Sequence, residues 1–342
     1  MPHNLRFSVL VLPNVPWDEF LRRCRQVEEL GFDAIGLADH LVDWAGGKGP
    51  WFELWTQLAA IAMATTRIRL ATLVAQIPLR NPALFALQAL TADHISGGRL
   101  DLGIGKGYRH SEFKGFQIAP EEAETRFDEA LGLMIRAWTE RRRFSHRGQF
   151  WRFEDIVVEP PPAQKPHPPL WVAAGSAASI RRAASRGFNL ILDQYAGPEL
   201  IAERIALYKA ERASHGLSFD PMQVALARQI YVATDEADRA AALARQAAYT
   251  KRTVDVSRSP ADASAGKSGS HVLAYADKAG GTEEHALFGT PDQIRAMLES
   301  LKQAGAHYVL LTFAGGMTQL QRFVREIMPA FSSTAAAPWA AE

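Results

Sequence analysis

The chain has 342 residues, of which 47% are hydrophobic and 22% charged, which is ordinary for a globular protein with a large core. A formal net charge of +1 gives no bulk attraction for nucleic acid or an anionic membrane, so we expect neither as a partner. The single cysteine, Cys24, excludes an intramolecular disulfide and a thiolate metal cluster and fits a reducing compartment. No signal peptide and no apolar run of the ~20 residues that span a bilayer is found, which predicts a cytoplasmic protein.

Strand-like and helix-like runs alternate along the first part of the chain. Short apolar runs predict buried strands, and apolar residues recurring every three or four positions predict the helices packed against them. Asn81-Pro82 supplies one helix with an N-cap and a first-turn proline. In chain order, the pattern predicts strand 5–12, a helix that ends before Gly31, strand 34–38, helix 54–64, strand 68–74, helix 81–95, strand 100–105 and helix 126–139.

The same alternation resumes after residue 169. It predicts strand 170–174, helix 176–186, strand 189–192, helix 198–215, strand 224–232, an Ala-rich helix from residue 235, helix 291–304, strand 308–313 and a last helix with an apolar stripe. Eight strand–helix units of this kind are typical of an α/β fold whose parallel strands close into a (β/α)8 barrel, the TIM barrel. Because such barrels often reach this length as one unit, we predict a single domain over residues 1–333.

Two segments do not fit the alternation and are predicted insertions. Residues 144–169 contain a predicted hairpin with Gly148 at its tip and then a proline-rich connection. Residues 256–284 are rich in Ser, Gly, Ala and Asp, and a loop of that length is usually a mobile lid or an excursion without a role. Both interpretations stay open. The Ala-rich tail at 334–342 is predicted to be disordered.

The turn after the fourth strand is the most informative local feature. It places Lys106 between Gly105 and Gly107. Glycine lets a backbone approach a ligand closely, so a cation held there can meet a phosphate alongside free N–H groups. Barrel enzymes keep their chemistry at this end of the strands. The spacing, with no helix expected directly after it, does not fit a dinucleotide-binding Rossmann turn. The alternative is a solvated lysine on a surface turn.

Seven short motifs follow one another in a fixed order along the chain. They are LADH at 37–40, IRLAT at 68–72, NP at 81–82, DHISGGRL at 93–100, GIGKGYRHSEF at 103–113, PPLWVAAGS at 168–176 and Gly-Thr-Pro at 289–291. With these motifs, the chain from residue 5 to about residue 331 resembles the bacterial luciferase-like family of flavin-dependent monooxygenases and oxidoreductases. Each motif is weakly specific alone, but their order and spacing together indicate the family.

The resemblance implies a barrel that binds FMN, or in a sister branch a deazaflavin coenzyme, at its C-terminal mouth. The family's monooxygenases take reduced FMN from a separate NAD(P)H:flavin reductase and react it with O2 to a C4a-peroxyflavin, which attacks a small organic substrate. Such an intermediate decays when water reaches it, so the segment at 256–284 is the candidate lid. Members of the family usually form dimers or tetramers, so the resemblance also predicts a homodimer or homotetramer.

The resemblance assigns the flavin phosphate to residues after the fourth and fifth strands. Lys106 matches an arginine that contacts the phosphate in relatives, and lysine keeps the charge while losing the bidentate fork. Arg126 matches a second phosphate-binding arginine. The alternative for Arg126 is a salt bridge to Glu122 or Asp128, since an arginine at a helix start is disfavoured by the helix dipole unless it has a partner.

A third part of the phosphate site is expected where the helix after the fifth strand begins. Gly175, Ser176 and Ser179 lie there, and free N–H groups at a helix N-terminus together with hydroxyls form an anion cradle. An ordinary N-cap is the alternative for Ser176. The two roles are compatible, because a capping position is also where a phosphate docks.

His40 ends the second strand and matches the family's active-site histidine, so we predict that it is catalytic. An imidazole that titrates near neutrality can exchange protons with flavin or substrate. The alternative is a histidine that hydrogen-bonds its own loop, with Asp39 as partner. Glu53 is a weaker candidate for contacting substrate; its alternative is a carboxylate that stabilises the start of a helix.

The resemblance places four further residues against the flavin ring and its tail. Leu73 and Val74 match a non-proline cis peptide beneath the ring, a bond that costs ~3–4 kcal/mol and survives only where its surroundings enforce it. Tyr108, next to Gly107, is expected over the flavin tail or, alternatively, as an aromatic residue on the rim. Gln194 is expected to bond the pyrimidine end of the ring.

Other chemistry fits the sequence less well. The histidines lack metal-ligand spacing, so no metal is predicted, and no Gly-x-Ser-x-Gly elbow occurs. The leading hypothesis is an FMN-dependent two-component monooxygenase. The alternatives are a hydride-transferring oxidoreductase of the same fold that uses the deazaflavin coenzyme, and a flavin-binding protein without catalysis.

Overall fold

Parallel strands form the core of the molecule, as the alternation of elements predicted. The computed structural model describes residues 4–43, 49–257 and 286–331. In chain order, its strands are β1 (Arg6–Leu10), β2 (Ala34–Leu37), β3 (Arg69–Thr72), β4 (Ala75–Gln76), β5 (Leu100–Gly105), β6 (Phe144–Arg147), β7 (Arg152–Ile156), β8 (Leu170–Ala173), β9 (Asn189–Leu192), β10 (Val224–Val232), β11 (Leu287–Gly289) and β12 (Tyr308–Phe313).

Eight of these strands close into a barrel, which confirms the predicted (β/α)8 fold. The barrel closes because β12 pairs in parallel with both β1 and β10, so the order around it is β1-β2-β3-β5-β8-β9-β10-β12. Short β4 runs beside the end of β5, and β11 pairs with the end of β10. Since all barrel strands run parallel, their carboxyl ends meet at one mouth.

Helices connect the strands and cover the barrel, and those that the sequence predicted have bounds within a few residues of the predicted ones. They are α1 (Trp17–Glu29), α2 (Leu54–Ala64), α3 (Pro82–Ile95), α4 (His110–Gly115), α5 (Ala123–Thr139), α6 (Ala177–Ser185), α7 (Pro198–Ser214), α8 (Glu236–Ser257), α9 (Pro291–Gln303) and α10 (Gly316–Glu326).

Three elements correct the sequence-based expectations. We expected no helix directly after the glycine-rich turn, yet α4 begins three residues after Gly107. Strands β4 and β11 were also missed. All three are too short to show a periodic pattern of buried residues, on which prediction from sequence depends. The first omission matters more for function, because α4 carries a buried carboxylate at the barrel mouth.

An antiparallel hairpin of β6 and β7 packs on α5, within the predicted insertion. Its tip is anchored by Glu129, whose carboxylate accepts the backbone N–H groups of Gln149, Phe150 and Trp151. The same carboxylate lies 3.1 Å from Nε2 of His146. Of the predicted lid at 256–284, the described residues belong to the end of α8; the rest of it and the tail at 334–342 lie outside the described residues.

The chain that leaves β3 lies in close contact with β5 at two glycines. A Cβ built on Gly103 would fall far inside van der Waals contact of the Thr72 carbonyl oxygen, and one built on Gly105 would lie 2.6 Å from a methyl group of Val74. The Thr72 hydroxyl also donates to the carbonyl of Gly103, at 2.6 Å. Because any side chain would push these strands apart, packing within the barrel accounts for both glycines.

This packing predicts that Gly103→Ala destabilises the protein by about 1–3 kcal/mol, because the added methyl group meets backbone that cannot rotate away. The matched control is Gly132→Ala in α5, where a Cβ meets nothing within 4 Å; there we expect a gain of about 0.5–1 kcal/mol from helix propensity. Urea unfolding midpoints of the two variants and the wild type measure both effects. Equal midpoints for Gly103→Ala and the wild type would contradict the packing argument.

Candidate active site

The barrel brings most of the predicted site residues to its C-terminal mouth. Each follows the carboxyl end of a parallel strand, which is where such ends converge. The residues are His40 after β2, Leu73 and Val74 after β3, Lys106, Gly107 and Tyr108 after β5, Gly175, Ser176 and Ser179 after β8, and Gln194 after β9.

His40 forms a buried pair with Glu112 of α4. Its Nδ1 lies 2.9 and 3.2 Å from the two carboxylate oxygens, and the two side chains are only 8% and 2% exposed. Sequence reasoning named Asp39 as the alternative partner. Instead, Asp39 accepts a bidentate ion pair from Arg80, with distances of 2.5 and 2.7 Å.

The Glu112 carboxylate is held in its ionised form by several donors. Beside His40, it accepts the Nε2–H of Gln76 at 3.0 Å and the backbone N–H of Leu41 at 3.0 Å. Burial alone would raise the pKa of Glu112, but the hydrogen bonds from His40, Gln76 and Leu41 lower it overall. Since an ionised carboxylate can only accept, Nδ1 of His40 must donate, and Nε2 of the neutral ring is the acceptor.

Glu53 occupies the position of a helix cap. Its carboxylate accepts the backbone N–H of Thr56 at 2.8 Å, at the start of α2. It also lies 3.6 Å from the guanidinium of Arg80, which links it to the Asp39 ion pair. These contacts agree with the structural interpretation of Glu53, and its contact with substrate stays a prediction.

Gln76 connects the histidine loop to the glycine-rich turn. Its Nε2–H also donates to the backbone carbonyl of Asp39 at 2.5 Å, which fixes the orientation of the amide. The amide oxygen is buried and has no hydrogen-bond partner in the described parts of the chain. A Cβ on Gly107 would lie 2.5 Å from that oxygen, and Gly107 has a φ of +80°. Both facts require glycine at this turn.

The predicted cis peptide lies directly after β3, at the C-terminal mouth of the barrel. The bond between Leu73 and Val74 is cis, which confirms that expectation. The ring of Tyr108 meets the ring of His40 edge-on, with centroids 5.7 Å apart. Burial raises the pKa of the Tyr108 phenol, so this group stays protonated at neutral pH.

A cleft lined by cations opens between β5, α5 and α6. It encloses about 430 Å³, part of it open to solvent, and Lys106, Ser179, Arg182 and Arg186 are among its lining residues. Ser176 caps α6 and shares a capping box with Ser179. Lys106 and Ser179 were predicted here from sequence, whereas Arg182 and Arg186 were not, because an arginine on a helix surface gives no local signal of a ligand.

Arg126 is engaged outside this cleft. It lies within the first turns of α5, pairs with Glu122 at 2.9 Å, and places its guanidinium 4.3 Å from the ring centroid of Phe150 and 5.7 Å from that of Trp151. The salt bridge to Glu122 is the structural alternative raised from the sequence. The other suggested partner, Asp128, pairs with an arginine of α6 instead.

Gln194 lies in a loop after β9 that charged groups hold in place. Its amide donates to the hydroxyl of Tyr195 at 2.7 Å. Asp193 forms a buried ion pair with Arg204 at 2.8 Å, and the buried guanidinium of Arg228 donates to the backbone carbonyl of Asp193. Burial lowers the pKa of Arg228 to about 10, which leaves it protonated at neutral pH.

Among residues 4–43, 49–257 and 286–331, no group of three or more His, Cys, Asp or Glu side chains is arranged to hold a metal ion. Within the same residues, no helix has the length and apolar character needed to cross a bilayer.

Comparison with known proteins identifies the family. The profile described as luciferase-like monooxygenase matches residues 5–308. The oxygenase component of the flavin-dependent trigonelline monooxygenase of Acinetobacter baylyi is 25% identical over 336 residues, which cover 93% of this chain and 91% of that protein.

One further relative and one solved structure are also similar to this chain. The F420-dependent glucose-6-phosphate dehydrogenase of Segniliparus rotundus is 33% identical over 184 residues, which cover 52% of this chain and 53% of that protein. Among solved structures, monooxygenase RslO1 from Streptomyces bottropensis aligns with a TM-score of 0.74 at 24% identity, covering 96% of this chain and all of that one. This last likeness concerns the fold alone.

The buried pair predicts a specific pH dependence of stability. The folded-state pKa of Glu112 lies below its ordinary value of 4.5. Its contribution to the free energy of unfolding is therefore complete above pH 4.5 and is lost as the pH falls through the lowered pKa. Glu112→Gln, which does not titrate, should cost about 1–3 kcal/mol near neutral pH, with a smaller difference from wild type at low pH. Urea unfolding between pH 7 and pH 3.5 tests this, with exposed Glu29→Gln as control. A difference that is constant with pH would contradict it.

Proposed function

The chain belongs to the luciferase-like monooxygenase family of oxidoreductases, and we propose that it is the oxygenase of a two-component system that uses reduced FMN and O2. The substrate would be a small, largely apolar organic molecule, and a separate NAD(P)H:flavin reductase would supply the reduced flavin. The Acinetobacter relative supports this arrangement, since it is itself named an oxygenase component. The observation that carries the proposal is a cationic cleft that reaches Lys106, directly after β5, together with a buried His–Glu pair whose histidine follows β2.

The cleft has the donors that a flavin phosphate requires. Lys106 and Arg182 would meet the charge of the phosphate, and guanidinium and ammonium groups form the strongest hydrogen bonds to such oxygens. The first turn of α6, at Ala177 and Ala178, adds backbone N–H groups without intrahelical acceptors. The hydroxyl of Ser179 borders the same space. This donor set fits an anion with two negative charges.

The other predicted residues would contact the flavin ring. The peptide between Leu73 and Val74 would lie beneath it, Tyr108 would cover its tail, and Gln194 would bond its pyrimidine end. When bound, the reduced flavin supplies the electrons that activate O2. The protein's part is to orient the ring and to exclude water from the reacting atoms.

His40 is the proposed proton carrier of the site. Because Nδ1 donates to the Glu112 carboxylate, Nε2 is the ring atom that can take up or return a proton. The buried carboxylate would stabilise the imidazolium that forms, and it also fixes the ring orientation. Glu112 is therefore a positioning residue, while His40 is the group that exchanges the proton.

One specific observation favours an alternative cofactor. The Segniliparus dehydrogenase, whose name states F420 dependence, matches about half of this chain at 33% identity. A hydride-transferring oxidoreductase that uses this deazaflavin coenzyme is thus the second candidate. A flavin-binding protein without catalysis is the third, and it differs from both in predicting no role for the His40–Glu112 pair.

The proposal predicts that the protein binds reduced FMN more tightly than reduced F420 in anaerobic titrations. After mixing with O2, the wild type should give a transient absorbance whose decay rate depends on pH, because the decay involves proton exchange with His40. His40→Ala should bind FMN within about twofold of wild type, yet change the decay rate by about 100-fold and lose that pH dependence. His215→Ala in the α7 C-terminal region is the control. Tighter binding of reduced F420 than of reduced FMN would favour the deazaflavin-dependent oxidoreductase. Absorbance traces identical to those of free flavin would favour the flavin-binding protein without catalysis.

We also propose that two adjacent helices form a contact between copies of the chain, as expected for a homodimer or homotetramer. Helix α2 contains no Asp, Glu, Lys or Arg, and α3 contains only Asp93, which is buried. A helix that is apolar on all sides is usually covered on all sides. The exposed apolar side chains on these helices are Met63, Leu84, Leu87 and Ile95.

This contact predicts that a variant carrying Leu84→Lys and Leu87→Lys sediments as a single protomer at concentrations where the wild type is oligomeric. Two charges without partners in an apolar interface should weaken association at least about tenfold. Phe116→Lys is the matched control, because Phe116 is also exposed but lies at the end of α4. Sedimentation velocity decides between the outcomes. An unchanged oligomer would exclude this pair of helices as the interface.

A further inference from the structure

A carboxylate lies among the residues that line the cationic cleft. Glu124, in the first turn of α5, places one oxygen 2.9 Å from Nζ of Lys106. Its other oxygen pairs with the guanidinium of Arg182. The same side chain therefore bridges the two cations that the proposed function assigns to the flavin phosphate.

Glu124 carries its charge at neutral pH. The hydrogen bonds from Lys106 and Arg182 lower the pKa of its carboxyl, and the modest burial opposes them only in part. The phosphate of FMN carries about −1.5 to −2 charges near neutrality, as other phosphate monoesters do. Two anions of this kind cannot share the same pair of cations without strong repulsion.

Arg182 has a second anchor that keeps it in the cleft when Glu124 leaves. Its other terminal nitrogen donates to Asp128 at 2.8 Å, and Asp128 also lies 3.7 Å from Arg186. Release of Glu124 would thus free one face of the Arg182 guanidinium without releasing the side chain. The side chains of Lys106 and Glu124 are about half exposed, at 47% and 48%, so the bridge can open without unfolding anything.

We propose that Glu124 is a built-in competitor of the flavin phosphate, which keeps cofactor affinity low and exchange fast. The inference rests on the proposed function, in which reduced FMN arrives from a separate reductase and must leave after each turnover. A cofactor that is passed between proteins gains from rapid dissociation, and most differences in affinity at one site appear in the dissociation rate. The phosphate must displace Glu124 from Lys106 and Arg182 before it can dock.

The expected size of the effect is moderate. Exposed ion pairs are individually weak in solution, so removing a competitor that holds two cations should tighten FMN binding about three- to tenfold. The effect should also fall with added salt, because the groups are within reach of screening ions. Riboflavin has no phosphate, so its affinity should change neither with the removal of Glu124 nor with added salt.

The test measures dissociation constants of FMN and riboflavin by quenching of flavin fluorescence, with the wild type, Glu124→Gln and Glu121→Gln. Glu124→Gln should bind FMN about three- to tenfold more tightly, release it more slowly in stopped-flow displacement, and bind riboflavin as the wild type does. Glu121→Gln removes the same charge three residues away, at an exposed position, and should change FMN affinity less than twofold. Lys106→Ala should weaken FMN binding and leave riboflavin unaffected.

Unchanged or weaker FMN binding by Glu124→Gln, with riboflavin binding intact, would overturn the competitor role and leave the proposed function standing. An equal gain for FMN and riboflavin would also overturn it, because the phosphate would not be involved. If neither flavin binds to any variant that shows a wild-type circular dichroism melt, then the proposed function itself fails, and the competitor role fails with it.

Discussion

The close approach of the chain after β3 to strand β5 is the constraint on which the barrel mouth depends. It lets Val74 pack directly on Gly105, and this contact fixes the position of the peptide between Leu73 and Val74. Two residues further on, the same segment supplies Gln76, whose amide reaches Glu112. Glu112 in turn fixes the ring of His40. One short segment therefore determines both the surface beneath the proposed flavin and the orientation of the proposed proton carrier.

Two glutamates at the mouth show how burial changes what an ion pair does. The pair of His40 and Glu112 is nearly inaccessible to water. Removing either partner would leave the other buried without a partner, so the intact pair keeps one geometry. The bridge from Glu124 to Lys106 is half exposed, where such pairs contribute little and exchange readily. The first arrangement suits a group that must hold one orientation through a reaction. The second suits a site that must open for a ligand.

Elements with a long periodic pattern could be predicted from sequence, and so could residues that directly follow a strand. His40 and Lys106 reach the mouth for this reason, because parallel strands end on one side. Glu112 could not be predicted as the partner of His40, since 72 residues separate them and their contact depends on a helix too short to leave a pattern. Arg182 was missed because the sequence does not distinguish it from the adjacent Arg181. Only the folded structure shows that Arg182 lines the cleft.

The glycine-rich turn shows the limit of a motif more clearly. The absence of a Cβ indicates that something approaches the backbone closely, but it does not identify what approaches. At Gly103 and Gly105, the neighbour is the segment Thr72–Val74, and at Gly107 it is the amide of Gln76. These contacts lie within the protein and would demand glycine with or without a cofactor. The case for a phosphate in the cleft therefore comes from the cations Lys106 and Arg182 and from the start of α6, and the glycines contribute to it only by holding Lys106 at the mouth.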